Sequence, residues 1–416
     1  MSLSILEICK RARAASFELA KLSGEAKNIA LCRMANALEA NGEKILAANQ
    51  LDVEAAKIKG MKAAMLDRLA LDQKKVANMA KELREVSSLA DPVGGIERTW
   101  TRPNGLIIGQ LRVPMGVVCV IYESRPNVTS DAASICIKAG NAVILRGGSD
   151  AINSNVAIGE VLREALTGTG VPADAIQVVA NPDRAAAEEL MGMREYIDVL
   201  IPRGGADLIK TVVEKSRIPV IETGTGNCHI YVCEDGDLER AIPIVINAKC
   251  QRPGTCNAAE KLLVDDSIAK AFLPKVIAAL RKEGVEVRGD EATVKIVSDV
   301  KPATEIDWYT EYLDLIIGVK VVAGLDEAIA HINKFSSHHS DSILTASFDK
   351  ALKFIKRVDS AAVYWNSSTR FTDGNQFGLG AEIGISTQKL HVRGPMGAQH
   401  LTTTKYFVLG RGHIRE

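Results

Sequence analysis

The chain has 416 residues, of which 47 % are hydrophobic and 25 % are charged, and its 51 basic and 51 acidic side chains leave no formal net charge at pH 7. This length predicts two or three domains of a soluble globular protein. The balanced charge excludes general electrostatic binding to nucleic acid or to an anionic membrane. A transmembrane helix is also excluded, because the sequence contains no apolar run of about 18 residues.

The start of the chain, residues 1–7, lacks a basic segment followed by an apolar stretch. We therefore expect no secretory signal peptide and a cytoplasmic protein. The eight cysteines of such a chain are expected to be free thiols rather than disulfides. Two of them, Cys119 and Cys136, fall in apolar runs and are expected in the core.

Residues 1–95 predict helices almost throughout, because Ala, Leu, Lys and Glu dominate. Apolar positions such as Leu31, Met34 and Leu38 recur at helical spacing, and Ser23 is typical of a helix start. No residue here suggests chemistry, so we interpret this stretch as a helical scaffold.

After residue 95 the pattern changes to two strands, 97–102 and 106–113, on either side of an Asn104-Gly105 turn. Another candidate strand lies at 401–409. We predict that these strands pair with each other, within one chain or across subunits. Exposed sheet edges of this kind favour an arm for oligomerisation.

Residues 116–222 alternate between apolar strands and helices. The predicted strands are 116–122, 142–145, 176–179, 196–201 and 218–222, and the predicted helices are 131–138, 151–166, 184–191 and 206–213. Continuous apolar strands separated by helices predict a parallel sheet that is covered on both faces, which places the protein in the α/β class.

Ligands of a parallel sheet bind at the carboxyl ends of its strands, and three glycine-containing turns, 146–149, 202–205 and 222–226, are expected there. None of them carries the G-x-G-x-x-G fingerprint, and the chain has no G-x-x-x-x-G-K-[ST] phosphate loop. Backbone amides at the starts of the following helices nevertheless suit the phosphates of a dinucleotide.

A further α/β segment, 227–395, contains Cys256 on a turn. A helix-periodic run at 238–248 precedes this turn, Pro253-Gly254 interrupts the chain, and a probable strand at 261–264 follows. A thiol on such a turn can face a cleft, and its small thiolate fraction at neutral pH is a strong nucleophile. The alternative is a buried, inert cysteine.

Four histidines, His229, His331, His338 and His339, raise the hypothesis of a metal site. Adjacent side chains such as His338 and His339 diverge on a strand or helix, and the cysteine spacings lack the C-x2-C pattern of zinc sites. We therefore predict no metal. A Cys–His dyad with His338 or His339 stays open, beside the interpretation that these histidines line a polar pocket or lie on a solvated loop.

Four stretches stand out in chain order: 125–127, 141–146, 222–224 and 254–258. They are similar, in the same order, to the asparagine loop, the cofactor-ribose strand, the glutamate-bearing strand end and the nucleophile turn of one family. By these stretches the sequence resembles the aldehyde dehydrogenase superfamily. Longer stretches resemble one branch of it, the γ-glutamyl phosphate reductases of proline biosynthesis: 328–343, 365–374 and 378–387.

The resemblance implies an aldehyde dehydrogenase-like α/β fold with two Rossmann-like parallel-sheet domains and a β oligomerisation arm. The implied cofactor domain comprises residues 1–96 and 116–225. The implied catalytic domain is 226–395, and the implied arm comprises 97–115 and 396–416.

The resemblance also implies a reaction, in which NADPH reduces L-glutamyl 5-phosphate to L-glutamate 5-semialdehyde and phosphate is released. Cys256 would form a thioester, with the Asn127 amide and the Cys256 backbone N–H donating to the oxyanion. Glu222 matches the superfamily's water-activating glutamate. Since a reductase gains nothing from that water, three roles for Glu222 stay open: tuning Cys256, assisting protonation, or a structural role.

The cofactor residues that the resemblance implies are Arg146, Ser149, Gly204, Gly205 and Glu311. Ser149 stands where the superfamily often has a glutamate that binds the ribose hydroxyls. A neutral serine beside Arg146 favours the 2′-phosphate of NADP over NAD. Glu311 is similar to the family's contact to the nicotinamide ribose.

The implied substrate is anionic, so its cleft should hold cations and hydroxyls. The candidates are Arg125, Arg252, His338, Ser368 and Arg370. For each arginine the alternative is a surface ion pair.

The expected partners are a small-molecule substrate, identical chains in a dimer or tetramer, and a glutamate 5-kinase that hands over the labile acyl phosphate. Two other functions stay open. One is an aldehyde dehydrogenase that oxidises its substrate to a free acid, and the other is a catalytically silent nucleotide-binding or structural protein on the same fold.

Overall fold

The structure, a computed structural model, describes residues 3–415. Residues 1, 2 and 416, at the ends of the predicted cofactor domain and arm, lie outside the described residues. The chain forms two compact units. The first unit comprises 3–223, 378–384 and 396–415, and the second comprises 224–377 and 385–395.

The fifteen helices of residues 3–415 are numbered in chain order. They are α1 (Ile5–Leu19), α2 (Gly24–Ala40), α3 (Gly42–Ile58), α4 (Ala63–Leu69), α5 (Gln73–Ser88), α6 (Asn127–Lys138), α7 (Ile152–Ala165), α8 (Arg184–Gly192), α9 (Ala206–Lys215), α10 (Leu238–Cys250), α11 (Asp266–Lys282), α12 (Glu291–Ile296), α13 (Glu305–Tyr309), α14 (Leu325–Phe335) and α15 (Phe348–Arg357).

The strands of the same residues are numbered likewise. They are β1 (Ile96–Thr101), β2 (Ile107–Pro114), β3 (Val117–Tyr122), β4 (Ala142–Gly147), β5 (Ile176–Val178), β6 (Val199–Arg203), β7 (Cys228–Val232), β8 (Ala259–Asp265), β9 (Glu286–Gly289), β10 (Lys301–Pro302), β11 (Ile316–Val322), β12 (Ser340–Leu344), β13 (Ala362–Trp365), β14 (Ile385–Ser386), β15 (Gly394–Pro395) and β16 (Thr402–Leu409).

The helices that open the first unit begin where the sequence supplies side-chain caps. The side chains of Ser4, Ser23 and Asp72 accept hydrogen bonds from backbone N–H groups in the first turns of α1, α2 and α5. Leu31 and Met34 of α2 are fully buried, as their helical spacing predicts.

The first unit contains a parallel sheet with the strand order β5-β4-β3-β6. Strands β3 and β4 are buried along their whole length, which explains their unbroken apolar sequences. Each of these strands is followed by a helix, so the predicted βα alternation is confirmed up to α9.

The predicted strand at 218–222 is wrong. This segment joins β6 by a single bridge between Leu200 and Val220, with the N–H of Ile221 donating to the Leu200 carbonyl at 3.0 Å. Pro219 has no N–H to donate, and the Thr223 hydroxyl donates to the Pro202 carbonyl at 2.8 Å in place of a backbone group. A regular ladder therefore does not form.

The second unit is built on a seven-stranded parallel sheet with the order β10-β9-β11-β8-β7-β12-β13. Its central strand β8 buries Leu262 and Val264 against α10 and α11 on one face. On the other face it buries Leu263 against α14 and α15. The predicted α/β class is confirmed.

The predicted hairpin is also confirmed, because β1 and β2 pair antiparallel. Strand β16 pairs antiparallel with β2 of the same chain, from Thr402 opposite Pro114 to Leu409 opposite Ile107. The resulting sheet has the order β1-β2-β16, so β16 lies at its edge.

Within residues 3–415, no helix combines the length and the apolar character that crossing a bilayer requires. All eight cysteines lie in this range and none forms a disulfide. Cys119 and Cys136 are fully buried, and burial raises the pKa of both thiols. The predictions of free thiols and of two core cysteines are confirmed.

Candidate active site

Cys256 lies on the turn between the end of α10 at Cys250 and the start of β8 at Ala259. The Thr255 hydroxyl donates to the Arg252 carbonyl at 2.8 Å, which closes this turn on itself. Cys256 is half-buried, in contrast to the inert core cysteines. The alternative of a fully buried thiol is therefore wrong.

The backbone of Gly226 packs directly on the Cys256 turn. A Cβ atom added at Gly226 would lie 1.6 Å from the carbonyl oxygen of Cys256 and 2.4 Å from its Cα. The thiol of Cys228 donates to the same carbonyl at 3.1 Å. Only glycine fits at 226, so the turn is shaped by a segment that lies 30 residues earlier in the chain.

Asn257 connects the Cys256 turn to residues 369–372. Its side-chain amide donates to the Thr372 carbonyl at 2.9 Å. Its backbone carbonyl accepts a hydrogen bond from the Thr369 hydroxyl at 2.7 Å. The Arg370 guanidinium donates to the Asn257 side-chain oxygen. This contact places Arg370 next to the residue that follows the thiol.

Two predicted substrate arginines, Arg252 and Arg370, share one electrostatic environment with Cys256. Burial lowers the pKa of Arg370, the charge of Arg252 lowers it further, and Cys256 acts in the opposite direction. Two neighbouring cations beside a thiol favour anions. The arrangement suits an anionic substrate better than the surface ion pairs that were the alternative.

Ser368 and His338 are the other predicted substrate residues in the second unit. Ser368 is buried, and its hydroxyl accepts the N–H of Arg370 at 3.3 Å, which caps the short turn that carries the arginine. His338 is half-buried and has a φ of 61°, and its N–H donates to the Ser336 hydroxyl at 3.0 Å. Its Nδ1 atom is buried and has no hydrogen-bond partner among the described residues.

His229, His331 and His339 are buried inside the second unit, so the interpretation of a solvated loop is wrong for His339. The Nδ1 atom of His229 lies 3.2 Å from the Asp341 carboxylate. The ring of His331 lies edge-on to the ring of His229, with a centroid distance of 5.5 Å. Burial lowers the pKa of His331 to about 3. His339 lies 3.9 Å from the sulfur of Cys228, whose pKa is raised by burial, so this Cys–His contact has no reactive thiolate.

One group among residues 3–415 offers three metal-ligand atoms within 4.8 Å of one another: Cys233, Glu234 and Asp235. Lys350 forms ion pairs with both carboxylates, so a cation of the chain already lies there. That the protein binds no metal stays a prediction.

Glu311 contacts the backbone of Gly226. Its Oε1 atom accepts the Gly226 N–H at 2.6 Å, on the segment that packs against Cys256. Burial raises the pKa of Glu311, and the hydrogen bond from Gly226 is the largest opposing effect. The predicted cofactor contact and the predicted nucleophile are thus linked through one glycine.

The first unit carries the predicted residues Arg125, Asn127 and Glu222. Asn127 is the first residue of α6, and its amide donates to the Asp131 carboxyl at 2.8 Å. Burial and the neighbouring Glu82 raise the pKa of Asp131 well above its usual value. Arg125 is exposed, and Glu222 is half-buried on the extended segment beside β6.

Arg146, at the carboxyl end of β4, has the features of an anion-binding residue. It is 9 % exposed, and its Nε atom is buried without a hydrogen-bond partner among the described residues. Its guanidinium donates to the carbonyls of Pro182 and Asp183 at 2.7 and 3.1 Å. Burial, and next the charge of Arg184, lower the pKa of Arg146, so a phosphate would relieve the repulsion. Ser149 is exposed on the same turn.

The glycine turn at the start of α9 already holds a carboxylate of the chain. The N–H of Gly205 donates to Glu123 Oε2 at 2.9 Å, and a Cβ atom at Gly204 would lie 2.6 Å from the Glu123 carboxyl carbon. A carboxylate at this place is what the partial positive charge of a helix start favours. A phosphate can bind there only if Glu123 moves.

Sequence reasoning missed Asn257, Glu123, Arg184 and Gly226. Asn257 is adjacent to the nucleophile, and a polar residue between Cys256 and an apolar strand was a usable signal. Glu123 and Gly226 contact residues that lie 30 to 85 positions away in the chain, and Arg184 acts through its charge. No local pattern reveals such contacts.

The aldehyde dehydrogenase family profile matches residues 3–296 of the sequence. The chain belongs to the aldehyde dehydrogenase family. It is therefore an oxidoreductase by family, and the predictions of the superfamily and of its fold are confirmed.

Relatives of high identity come from one branch of this aldehyde dehydrogenase family. The chain is 58 % identical to the γ-glutamyl phosphate reductase of Caldanaerobacter subterraneus over 407 residues, 98 % of each chain. It is 57 % identical to that of Clostridium botulinum over 406 residues, again 98 % of each. The predicted resemblance to this branch is confirmed.

Solved structures of aldehyde dehydrogenases agree with this placement. The crystal structure of γ-glutamyl phosphate reductase from Thermotoga maritima matches with a TM-score of 0.97 at 53 % identity, over 100 % of both chains. An acetylating aldehyde dehydrogenase from Geobacillus thermoglucosidasius matches with a TM-score of 0.72 at 20 % identity, which shows the shared fold alone.

Proposed function

We propose that the chain reduces L-glutamyl 5-phosphate to L-glutamate 5-semialdehyde with NADPH, releasing phosphate, as a cytoplasmic step of proline biosynthesis. The observation that carries this proposal is the Cys256 turn. A half-buried thiol is fixed there by Gly226 and lies in the electrostatic range of Arg370. The identity of relatives named γ-glutamyl phosphate reductase supports the choice of substrate.

The first chemical step is attack of the Cys256 thiolate on the acyl carbon of the substrate. The new C–S bond forms as the carbonyl becomes an oxyanion, and the C–O bond to phosphate then breaks to leave a thioester. We assign the backbone N–H of Cys256 and the amide of Asn127 as oxyanion donors. The Asn127 nitrogen carries two hydrogens, and its bond to Asp131 uses one of them.

The cations of the second unit serve the anionic groups of the substrate. Arg370 is fixed by Asn257, and Gln251 accepts its Nε–H at 2.8 Å, so its guanidinium is already oriented. Arg252 is exposed on the same turn and can reach a phosphate or carboxylate. Arg125, His338 and Ser368 complete the proposed substrate set.

NADP(H) is the proposed cofactor of the first unit. The Nε atom of Arg146 is buried without a hydrogen-bond partner among residues 3–415, and Arg184 adds a second positive charge. Arg146 and Ser149 would hold its 2′-phosphate, and Gly204 and Gly205 its other phosphates once Glu123 moves away from the Gly205 N–H. When bound, it supplies the hydride that reduces the thioester.

Reduction leaves a hemithioacetal on Cys256. Its collapse releases the aldehyde and regenerates the thiolate. Glu311 is proposed as the contact to the nicotinamide ribose, and Glu222 as a residue that tunes Cys256 or assists protonation. The labile substrate also favours direct transfer from a partner glutamate 5-kinase.

The deciding assay is NADP reduction by glutamate 5-semialdehyde, with and without phosphate. We expect turnover only with phosphate, and near-total loss of turnover in Cys256→Ala with NADPH binding retained. Cys250→Ala, a half-buried thiol six residues earlier, is the matched control and should keep full activity.

Other results of this assay would identify the competing functions. Turnover without phosphate would identify an enzyme that oxidises the aldehyde to a free acid. Binding of NADPH without turnover in the unaltered chain would indicate a silent nucleotide-binding protein. Activity that survives in Cys256→Ala would exclude the thioester route.

A further inference from the structure

Strand β8 carries two consecutive charged residues, Glu260 and Lys261, that are both fully buried. Glu260 lies on the α10 face of the sheet, whereas the charge of Lys261 acts on His331 of α14, which packs on the opposite face. Glu260 Oε2 pairs with the buried ammonium of Lys249 on α10 at 2.8 Å. Burying three charges in one place is costly, and none of them has a part in the proposed chemistry.

Both residues hold the short segment 310–313, which carries Glu311. Lys261 Nζ donates to the Thr310 carbonyl at 2.8 Å. From the other face of the strand, Glu260 Oε1 accepts the N–H of Leu313 at 3.2 Å. The segment is thus fixed on each side of Glu311, one residue before it and two residues after it.

The segment needs this support, because Leu313 has a φ of 55°. A residue with a Cβ atom rarely adopts this left-handed conformation, and it persists only where the surroundings hold it. The hydrogen bond from Leu313 to Glu260 supplies that constraint at the strained residue itself.

Strand β11 has a glycine where the Lys261 side chain passes. Gly318 of β11 lies opposite Lys261 in the parallel register, and a Cβ atom there would lie 2.9 Å from Lys261 Cδ. The Lys261 Nζ atom lies 4.6 Å from the centre of the Tyr312 ring. A glycine gap and an aromatic face thus direct the ammonium toward segment 310–313.

We infer that Glu260 and Lys261 are positioning residues for Glu311: they clamp segment 310–313 from both faces of β8 and so keep the Glu311 carboxylate on the N–H of Gly226. That N–H belongs to the glycine that packs on the Cys256 turn. The expected effect on catalysis rests on the proposed function, in which Glu311 contacts the cofactor.

Electrostatics support the same assignment. Burial raises the pKa of Glu311, whereas the charges of Lys261 and Lys249 act against burial and favour the carboxylate. A carboxylate accepts the Gly226 N–H more strongly than a neutral acid does. Lys261 therefore helps Glu311 through the Thr310 contact and, because burial lowers the pKa of Lys261 itself to about 7, through its charge mainly below that pH.

Amide hydrogen exchange of the full chain tests the clamp without any need for activity. In Lys261→Met, which keeps the aliphatic side chain and removes the ammonium, we expect exchange at Gly226 and Leu313 to become at least roughly tenfold faster. Lys295→Met, at an exposed lysine paired only with Glu291, should change neither amide. Unchanged exchange at Gly226 in a folded Lys261→Met protein would overturn the inference. If Lys261→Met does not fold, Lys261→Gln takes its place in the same measurement.

A double-mutant cycle tests whether Lys261 acts through Glu311. We expect Lys261→Met to lower kcat/KM for NADP by about tenfold to a hundredfold in the phosphate-dependent assay, while KM for the semialdehyde is unchanged. In a Glu311→Gln background the same change should cost less than about twofold. If the losses in kcat/KM from the two substitutions multiply in the double variant, Lys261 acts independently of Glu311 and the inference is wrong. An unaltered chain without NADPH-dependent turnover would instead refute the proposed function, and the exchange measurement would still decide the clamp.

Discussion

The geometry of the Cys256 turn depends on one residue without a side chain. Any side chain at Gly226 meets backbone atoms of Cys256, the nearest at 1.6 Å from the added Cβ, and backbone cannot move aside as a flexible side chain can. The turn must shift by more than an ångström to admit even a methyl group. The position of the Cys256 sulfur therefore depends on the packing of the Gly226 backbone against the Cys256 backbone.

We expect Gly226→Ala to lower kcat on the order of a hundredfold, because a displacement of about 1 Å at a reacting atom has that effect. Steady-state kinetics and the rate of alkylation of Cys256 both measure it. Gly95→Ala is the matched control, since a Cβ atom there meets nothing within 4 Å. Wild-type kcat in Gly226→Ala would show that the turn tolerates the displacement.

At this scale the sequence predicts a residue when its signal is local. Pro253 and Gly254 break the helix beside Cys256, which is why its partial exposure could be foreseen. The contact of Glu311 with Gly226 joins residues 85 positions apart, and the buried pair of Glu260 with Lys249 joins facing elements. Such contacts exist only once the sheet has assembled, so no sequence pattern contains them.

Helix α14 packs on the sheet of the second unit partly through a neutral histidine. His331 is 6 % exposed, and its ring lies edge-on to both His229 and Trp308 with centroid distances of 5.5 Å. Burial, and then the charges of His229 and nearby lysines, lower the pKa of His331 to about 3 from an ordinary value of 6.5. The packing of this helix therefore favours the uncharged ring.

Acid should therefore weaken this packing. Between pH 6.5 and pH 3 the unfolded chain binds a proton at His331 that the folded chain does not, so the free energy of unfolding falls as pH falls. At pH 5, which is 1.5 pH units below 6.5, the loss is about 2 kcal/mol at about 1.4 kcal/mol per unit. In His331→Phe, the difference in unfolding free energy between pH 7 and pH 5 should shrink by that amount.

Urea unfolding at the two pH values measures this difference, because titrating groups that do not interact with His331 contribute equally to the wild type and the variant. His413→Phe, at an exposed histidine, is the control and should leave the difference unchanged. An equal pH dependence in His331→Phe and the wild type would mean that the ring is protonated at little cost in the folded state.

The sequence predicted helices and strands correctly where the hydrophobic periodicity and the glycine-containing turns indicated the same boundaries. Strands β3 to β6 and helices α6 to α9 follow unbroken apolar runs and clear breaks. The segment 218–222 has an equally apolar sequence, yet Pro219 removes a backbone donor and Thr223 satisfies a carbonyl of β6 with its side chain. Apolar character thus predicted the burial of Ile218 and Ile221 but not the pairing of the segment.

For the molecule as a whole, the sheet β1-β2-β16 leaves an apolar edge. Tyr406, Val408 and Leu409 of β16 are 60 %, 56 % and 56 % exposed. In contrast, strands such as β3 and β4 are fully buried. An edge strand with large apolar side chains is a template for pairing with another chain. This supports the proposal that identical chains associate through this arm.

We therefore expect Val408→Lys to dissociate the oligomer, because a lysine on an edge strand opposes pairing and places a charge in the proposed interface. Light scattering after size exclusion should give a mass near that of the 44.7 kDa chain for Val408→Lys and a multiple of it for the wild type. Gln50→Lys adds the same charge at an exposed position of α3 and should keep the wild-type mass. If Val408→Lys retains the full oligomer, association uses another surface. If the wild type itself runs as a single chain, the exposed edge is a property of the monomer and the arm is not an oligomerisation device.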